Sequence, residues 1–245
     1  MKKTIIVIQA RMGSHRLPGK SLMPLWKEMS LFELVLARIT KAKLPDNIIL
    51  ATSENSLDDA LIPIAEKYNV RVVRGSEDDV LGRFIKAINT TSADAVVRAC
   101  ADNPLLDPWM IDNLIEFFWD NKSCDYAMNL GPKTGFPDGV GVEIASVETF
   151  RRLDKEATDA FDREHVFTFL HDNPDYVSCY QYAPEEKYRR PQYRFDIDYR
   201  EDYDSVVSLI DKLPVRDEPL WSTLDIIKTL DKNPEVLDLR KKRDE

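Results

Sequence analysis

The chain has 245 residues, 43% hydrophobic and 31% charged, with 34 Lys and Arg against 43 Asp and Glu for a net charge of −9. That balance excludes wholesale disorder and argues against a nucleic-acid binder, which needs a basic surface to neutralise phosphate. No apolar run reaches the roughly 18 residues of a membrane span, and Cys100, Cys124 and Cys179 make neither a CxxC pair nor an even set, so neither a disulfide scaffold nor a zinc knuckle is expected. The apolar run Ile5-Ile6-Val7-Ile8 is too short for a signal peptide and leads into a basic loop, so a cytoplasmic protein is expected. The length suits a single α/β domain over residues 1–245.

The predicted elements begin with a β-branched strand at 4–9, a loop at 11–20 and a helix at 31–41 with Phe32, Val35, Leu36 and Ile39 at helical spacing. A strand follows at 47–52, a helix at 56–68, a strand at 70–74, a helix at 78–90 and a strand at 95–100. Pro108 opens a helix at 108–120. Strands alternating with helices predict βαβ units and a mostly parallel sheet in a three-layer α/β/α sandwich. Ligands of such sheets bind beyond the carboxyl ends of the strands, here after Gln9, Thr52, Arg74 and Cys100. Past residue 122 the rhythm changes. A strand is expected at 125–129, then a hairpin or arm at 131–141, where four glycines and two prolines gather. Strand 142–144, helices 147–155 and 163–172, strands 177–182 and 194–197, and helices 202–213 and 223–233 complete the chain. Residues 240–245 are a charge run, expected to be a solvated tail.

The loop Ala10-Arg11-Met12-Gly13-Ser14-His15-Arg16-Leu17-Pro18-Gly19-Lys20 carries the most chemistry. Three cations, Arg11, Arg16 and Lys20, follow a buried strand, and Gly13 and Gly19 let backbone approach a ligand. Guanidinium forks and an ammonium on one flexible loop suit a triphosphate. The spacing matches neither a P-loop nor a dinucleotide fingerprint. An acidic protein with a basic pocket suits a small anionic ligand. Asp102 and Asp198 sit at strand ends, where one or two carboxylates plus substrate phosphates can hold Mg²⁺. Each could instead cap a turn or helix. Arg98 lies inside the apolar run Val96-Val97-Arg98-Ala99 and needs a carboxylate or anion, so both an ion pair and a substrate role stay open.

The string IIVIQARMGSHRLPGKSLMPL at 5–25 resembles the N-terminal signature of the cytidylyltransferases that activate acidic sugars. ATSENSLDD, RGSEDDVLGRF, VVRACADNPLLDP, FPDGVGVEI, REHV and FDIDYREDY follow in order, so the resemblance covers roughly residues 4–210 and is strongest to the spore-coat polysaccharide branch, the SpsF type. It implies transfer of CMP from CTP to an anionic sugar with release of pyrophosphate. Arg11, Lys20, Asp102 and Asp198 would be catalytic, and Mg²⁺ would sit on Asp102 and Asp198. Ala10, Arg11, Met12, Gly13, Ser14, Arg16, Lys20, Thr52, Ser53, Ser76 and Arg83 would bind the nucleotide. Arg98, His165, Arg189, Arg190 and Arg194 would face the acceptor. A protruding arm at about 126–145 would build a homodimer. Where relatives have Thr-Gly-Asp-Cys-Pro this chain has Cys100-Ala101-Asp102-Asn103-Pro104, and where they often have Asp it has Gly141, so the acceptor pocket is expected to differ. Two other readings are kept. Asp196-Ile197-Asp198 is a DxD, as in metal-dependent glycosyltransferases, and a non-catalytic nucleotide-binding subunit would use the same loop.

Overall fold

The structure is a computed structural model that describes residues 2–241. Strand β1 (Thr4–Gln9) is followed by a small antiparallel ribbon, β2 (Pro24–Trp26) and β3 (Met29–Ser30), and then by β4 (Asn47–Ser53), β5 (Arg71–Gly75), β6 (Ala95–Cys100), β7 (Tyr126–Met128), β8 (Glu143–Ser146) and β9 (Cys179–Gln181). All but the ribbon join one sheet in the order β5-β4-β1-β6-β8-β7-β9. The first four pair in parallel, β8 is antiparallel to β6 and β7, and β9 is parallel to β7.

Period-2 alternation makes the layers. Ile6 and Ile8 of β1 face one core with α1 (Leu31–Ile39), α2 (Ile62–Lys67), α4 (Pro108–Asp120), α9 (Arg200–Ile210) and α10 (Thr223–Lys232). Ile5 and Val7 face the other with α3 (Val80–Asn89), α6 (Val147–Glu156) and α8 (Thr168–Asp172). The expected three-layer sandwich is therefore present. The chain runs from β1 outward through β4 to β5, then returns to the far side of β1 as β6. The tips of β1 and β6 thus flank the point where the strand order reverses, which is where open α/β sheets bind ligands. Among the described residues no helix is long and apolar enough to cross a membrane.

Four expectations from sequence are corrected. The segment at 126–145 is no protruding arm: β7 and β8 lie inside the sheet, α5 (Gly131–Thr134) joins them, and Phe136, Val140 and Val142 are fully buried. Gly131, Gly135 and Gly139 take positive φ in turns within the fold, and Gly141 answers to close packing. A Cβ on Gly141 would sit 2.0 Å from the Asn129 carbonyl oxygen, so the Asp that relatives often carry there has no room. The helix expected at 163–172 is broken into α7 (Ala160–His165) and α8 by Val166 at φ 64 and ψ −57. Phe167 N–H there closes a strained positive-φ γ-turn onto the His165 carbonyl at 2.7 Å. Residues 194–197 are extended but form only one bridge, Asp138 with Arg194. The expected helix at 56–68 begins as a 3₁₀ turn, Ser56–Leu61, capped by the Asn55 side chain.

Candidate active site

A cavity of about 490 Å³ opens at the tips of β1 and β6. One wall comes from the first half of the chain: Gln9, Ala10, Arg11, Ser14, His15, Arg16, Lys20 and Ser21, with Val80 and Arg83 from α3 and Arg98, Cys100, Ala101 and Asp102 from β6 and its exit. The other wall is Glu164, His165 and Asp198.

The basic loop is held by a buried acid. Asp58 accepts the Met12 N–H at 2.7 Å, the Thr52 hydroxyl at 2.9 Å, and the Ser53 hydroxyl and N–H at 2.6 and 3.0 Å. Burial alone would raise this carboxyl, but the bonds from Ser53, Met12 and Thr52 outweigh it and hold it below the usual range. Further on, Gly19 takes φ 72, which suits glycine, and swings the chain into the 3₁₀ turn that opens with Lys20. The Ser21 hydroxyl ties the turn back to the Arg11 carbonyl at 3.1 Å.

The charged groups converge across sequence. Lys20 Nζ donates to Asp102 Oδ2 at 3.1 Å, Asp198 Oδ1 at 3.1 Å and the Ile197 carbonyl at 2.6 Å. Burial would lower this ammonium, but Asp102 and Asp198 outweigh it and hold it above its usual value. Arg16 also pairs with Asp198 at 2.8 Å. Arg11 spans the cavity, donating to the Glu77 carbonyl at 3.2 Å and to Glu164 at 2.8 Å. Arg83 is 2% exposed; Nη1 donates to the Ser76 and Glu77 carbonyls and Nε is buried with no partner among the described residues. Burial first, then its neighbour Arg11, holds this guanidinium below its usual value. A buried cation beside a second cation, facing an open cavity, is an anion site in waiting.

Arg98 resolves its two readings in part. It donates to Glu143 at 2.6 Å and Gln9 at 3.0 Å, so the ion pair is real, yet it also lines the cavity. Tyr126 O–H donates to the same Glu143 at 2.6 Å and lies 3.0 Å from His171 Nε2. Burial pushes the neighbouring Cys100 thiol up to about 12, which disfavours its thiolate.

Comparison with known proteins bears directly on this arrangement. The family model described as cytidylyltransferase matches residues 5–229. The chain is 34% identical to the spore coat polysaccharide biosynthesis protein SpsF of Bacillus subtilis, covering 96% of this chain and 97% of that one. The chain belongs to the cytidylyltransferase family. It is also 35% identical to a 3-deoxy-manno-octulosonate cytidylyltransferase of Bdellovibrio bacteriovorus, over 51% of this chain and 49% of that one. The solved structure of a cytidylyltransferase from Leptospira borgpetersenii superposes with TM-score 0.89 at 31% identity, covering 96% and 97% of the two chains. A CMP:2-keto-3-deoxy-manno-octonic acid synthetase complexed with CTP shares the fold, with TM-score 0.64 at 15% identity over 86% of this chain and 99% of that one.

Within this member of the family the residues expected from sequence separate into four groups. Ala10, Arg11, Ser14, Arg16, Lys20, Arg83, Arg98, Asp102, His165 and Asp198 line the cavity. Met12, Thr52 and Ser53 stand behind it, their N–H or hydroxyl groups donating to Asp58, so the two buried hydroxyls position the loop. Gly13 lies against Glu77, and Ser76 contributes a carbonyl to Arg83. Arg189, Arg190 and Arg194 do not line the cavity; they pair with Glu186, with Asp231, and with Asp196 and Asp138. His165 ends α7 and does not head a helix. The DxD does not act as a unit, because Asp196 faces Arg194 and Arg240 while Asp198 faces Lys20 and Arg16. Sequence reasoning missed Gln9, Asp58, Glu77, Glu143 and Glu164. Only Asp58, in the acidic pair Asp58-Asp59 five residues past the end of β4, had a local signal.

Proposed function

We propose that this enzyme transfers CMP from CTP to an anionic sugar and releases pyrophosphate, in the synthesis of a surface polysaccharide. The observation that carries the reading is the meeting of Arg11, Arg16 and Lys20 with Asp102 and Asp198 at the tips of β1 and β6. The SpsF and octulosonate-cytidylyltransferase relatives support the donor and the class of acceptor.

The donor set fits Mg²⁺: two hard carboxylates converge on one cationic point, now met by the Lys20 ammonium, and substrate phosphate would complete the shell. Asp102 and Asp198 would hold the ion, which when bound offsets charge on the α-phosphate. The chain's own residues do the rest. Lys20, released from the acids, and the forks of Arg11 and Arg16 take the triphosphate and the departing pyrophosphate. Arg83 adds a buried positive charge on the α3 side. The acceptor oxygen attacks the α-phosphorus in line, the bond to the β-phosphate breaks, and the acceptor proton passes to solvent at the open mouth. Arg98, fixed by Gln9 and Glu143, faces the acceptor, and His165 lies on the opposite wall. Most of the rate gain is positioning and charge. The reading also includes a homodimer, on family resemblance, and a cytoplasmic setting where CTP is made.

The test is a screen of the four nucleoside triphosphates against sugar acids, phosphorylated sugars and neutral sugars, reading pyrophosphate. CTP with one sugar acid should release it. Consumption of a ready-made nucleotide sugar would mark a glycosyltransferase, and binding without turnover would mark a non-catalytic subunit.

A further inference from the structure

Arg240 reads in sequence as part of a solvated tail, and it lies beyond the 5–229 span of the family model. In the fold it sits in α11 (Asp238–Lys241) with a side chain only 13% exposed. Its guanidinium is spread over the segment that ends in Asp198. Nη1 donates to the Arg194 carbonyl at 2.5 Å, and Nη2 donates to the Asp196 carbonyl at 2.7 Å and to Asp196 Oδ1 at 3.2 Å. Nη2 also pairs with Asp202 Oδ1 at 2.9 Å. Asp202 is 1% exposed, and its other oxygen accepts the N–H groups of Asp198 at 3.0 Å and Tyr199 at 2.9 Å.

This matters because the segment has little backbone support. Residues 194–198 form no strand ladder; Phe195 N–H bonds the Asp138 carbonyl at 3.0 Å and Ile197 N–H the Asp102 carbonyl at 2.9 Å. Phe195 and Ile197 anchor it in the core at 1% and 0% exposure, but the alternate residues Arg194, Asp196 and Asp198 lie outside the core and are held by side-chain contacts in place of ladder bonds. Arg240 holds two of its carbonyls directly and, through Asp202, the N–H groups of Asp198 and of the adjoining Tyr199. A planar fork suits such a task, and a lysine ammonium cannot reproduce it.

We propose that Arg240 is a positioning residue for Asp198: a clip from the last described helix that fixes the carboxylate opposite Asp102, where the metal–triphosphate unit forms. The inference rests on the reading of Asp198 given above. The clip itself touches neither nucleotide nor acceptor.

The experiment compares the full-length protein with Arg240→Ala, Arg240→Lys and Asp198→Asn. Two readouts besides turnover are used: hydrogen exchange of the 194–202 peptide, and Mn²⁺ affinity with CTP present, by electron paramagnetic resonance. Arg240→Ala should speed exchange in that peptide about tenfold and weaken Mn²⁺ binding by about 10-fold or more, as loss of a metal-ligand support does. CTP affinity without metal should stay within about twofold, and Arg240→Lys should fall between. Unchanged exchange in Arg240→Ala overturns the clip. Faster exchange with unaltered Mn²⁺ affinity, while Asp198→Asn loses Mn²⁺, overturns its link to the metal. Intact Mn²⁺ affinity in Asp198→Asn removes the metal reading of Asp198 and the purpose assigned to the clip, whereas exchange separately reports whether the clip holds the segment. If Arg240→Ala fails to fold, Arg240→Lys decides by the same readouts.

Discussion

The two walls of the cavity are built by different means. The wall from residues 9–21 and 98–102 hangs from β1 and β6, which pair with each other over six registered positions and are buried on both faces. The wall of Glu164, His165 and Asp198 comes from the last turn of α7, which ends at the strained Val166, and from an extended segment with few backbone hydrogen bonds. It meets the first wall through ion pairs spanning 153 residues, Arg11 with Glu164, and 178 residues, Lys20 with Asp198. A rigid cation-bearing wall and a softer acid-bearing wall suit an enzyme that must admit a triphosphate between them, because the phosphates can replace the acids as partners of the same cations.

Substitutions on the two walls should therefore differ in kind. The largest effect is expected from Asp102→Asn on the rigid wall. It keeps shape and turn geometry but loses charge, and turnover should fall by about 100-fold or more, with metal-free CTP binding retained. Steady-state pyrophosphate release and calorimetry check both halves. Lys20→Ala should weaken CTP binding about tenfold and slow turnover, since it removes one charged hydrogen-bond donor. Titration of CTP against the variant measures this.

Asp58→Asn tests the support of the rigid wall and not its chemistry. It disturbs four buried hydrogen bonds and should cost about 1–3 kcal/mol of stability. The sign with pH follows from the lowered carboxyl. Asp58 contributes fully above the ordinary carboxylate pKa, and its contribution is lost as pH falls through the lower folded value. The gap in melting temperature between wild type and variant should thus be wide at pH 7 and narrow toward pH 3. A gap that widens in acid would contradict the assignment. The smallest effect is expected from Glu164→Gln on the soft wall. Freed from a half-exposed ion pair, Arg11 should bind CTP about threefold tighter, in line with the modest worth of such pairs. A clear loss of CTP affinity would instead place Glu164 among the nucleotide's direct partners.

The same contrast explains what could be read from sequence. Strands β1, β4, β5 and β6, the helix at 108–120 and the cations of the first loop were legible, because period-2 and helical patterns with nearby turn residues specify them locally, whereas the two short strands of the β2–β3 ribbon carry no such pattern. Arg98, Asp102 and Asp198 could be picked out because a charge at or inside an apolar strand is anomalous. Glu143 and Glu164 could not, since their partners Arg98 and Arg11 are brought to them only by the tertiary fold. Gly131–Gly141 misled for a related reason. Glycine clusters mark tight packing as well as turns, and here the Asn129 backbone, not a hairpin tip, demands Gly141. In sequence Arg240 looks like tail because nothing near it shows that two carbonyls, the half-buried Asp196 and the buried Asp202 await it.

The central claim is that Asp102 and Asp198, from opposite walls, act on one ion and one triphosphate. The most direct test is the cycle of Asp102→Asn, Asp198→Asn and the double variant, followed by CTP-dependent pyrophosphate release with the accepted sugar acid. Two ligands of one metal act as a unit, so each single change should cost nearly as much as both together. Losses that multiply, or turnover retained in both single variants, would contradict the account.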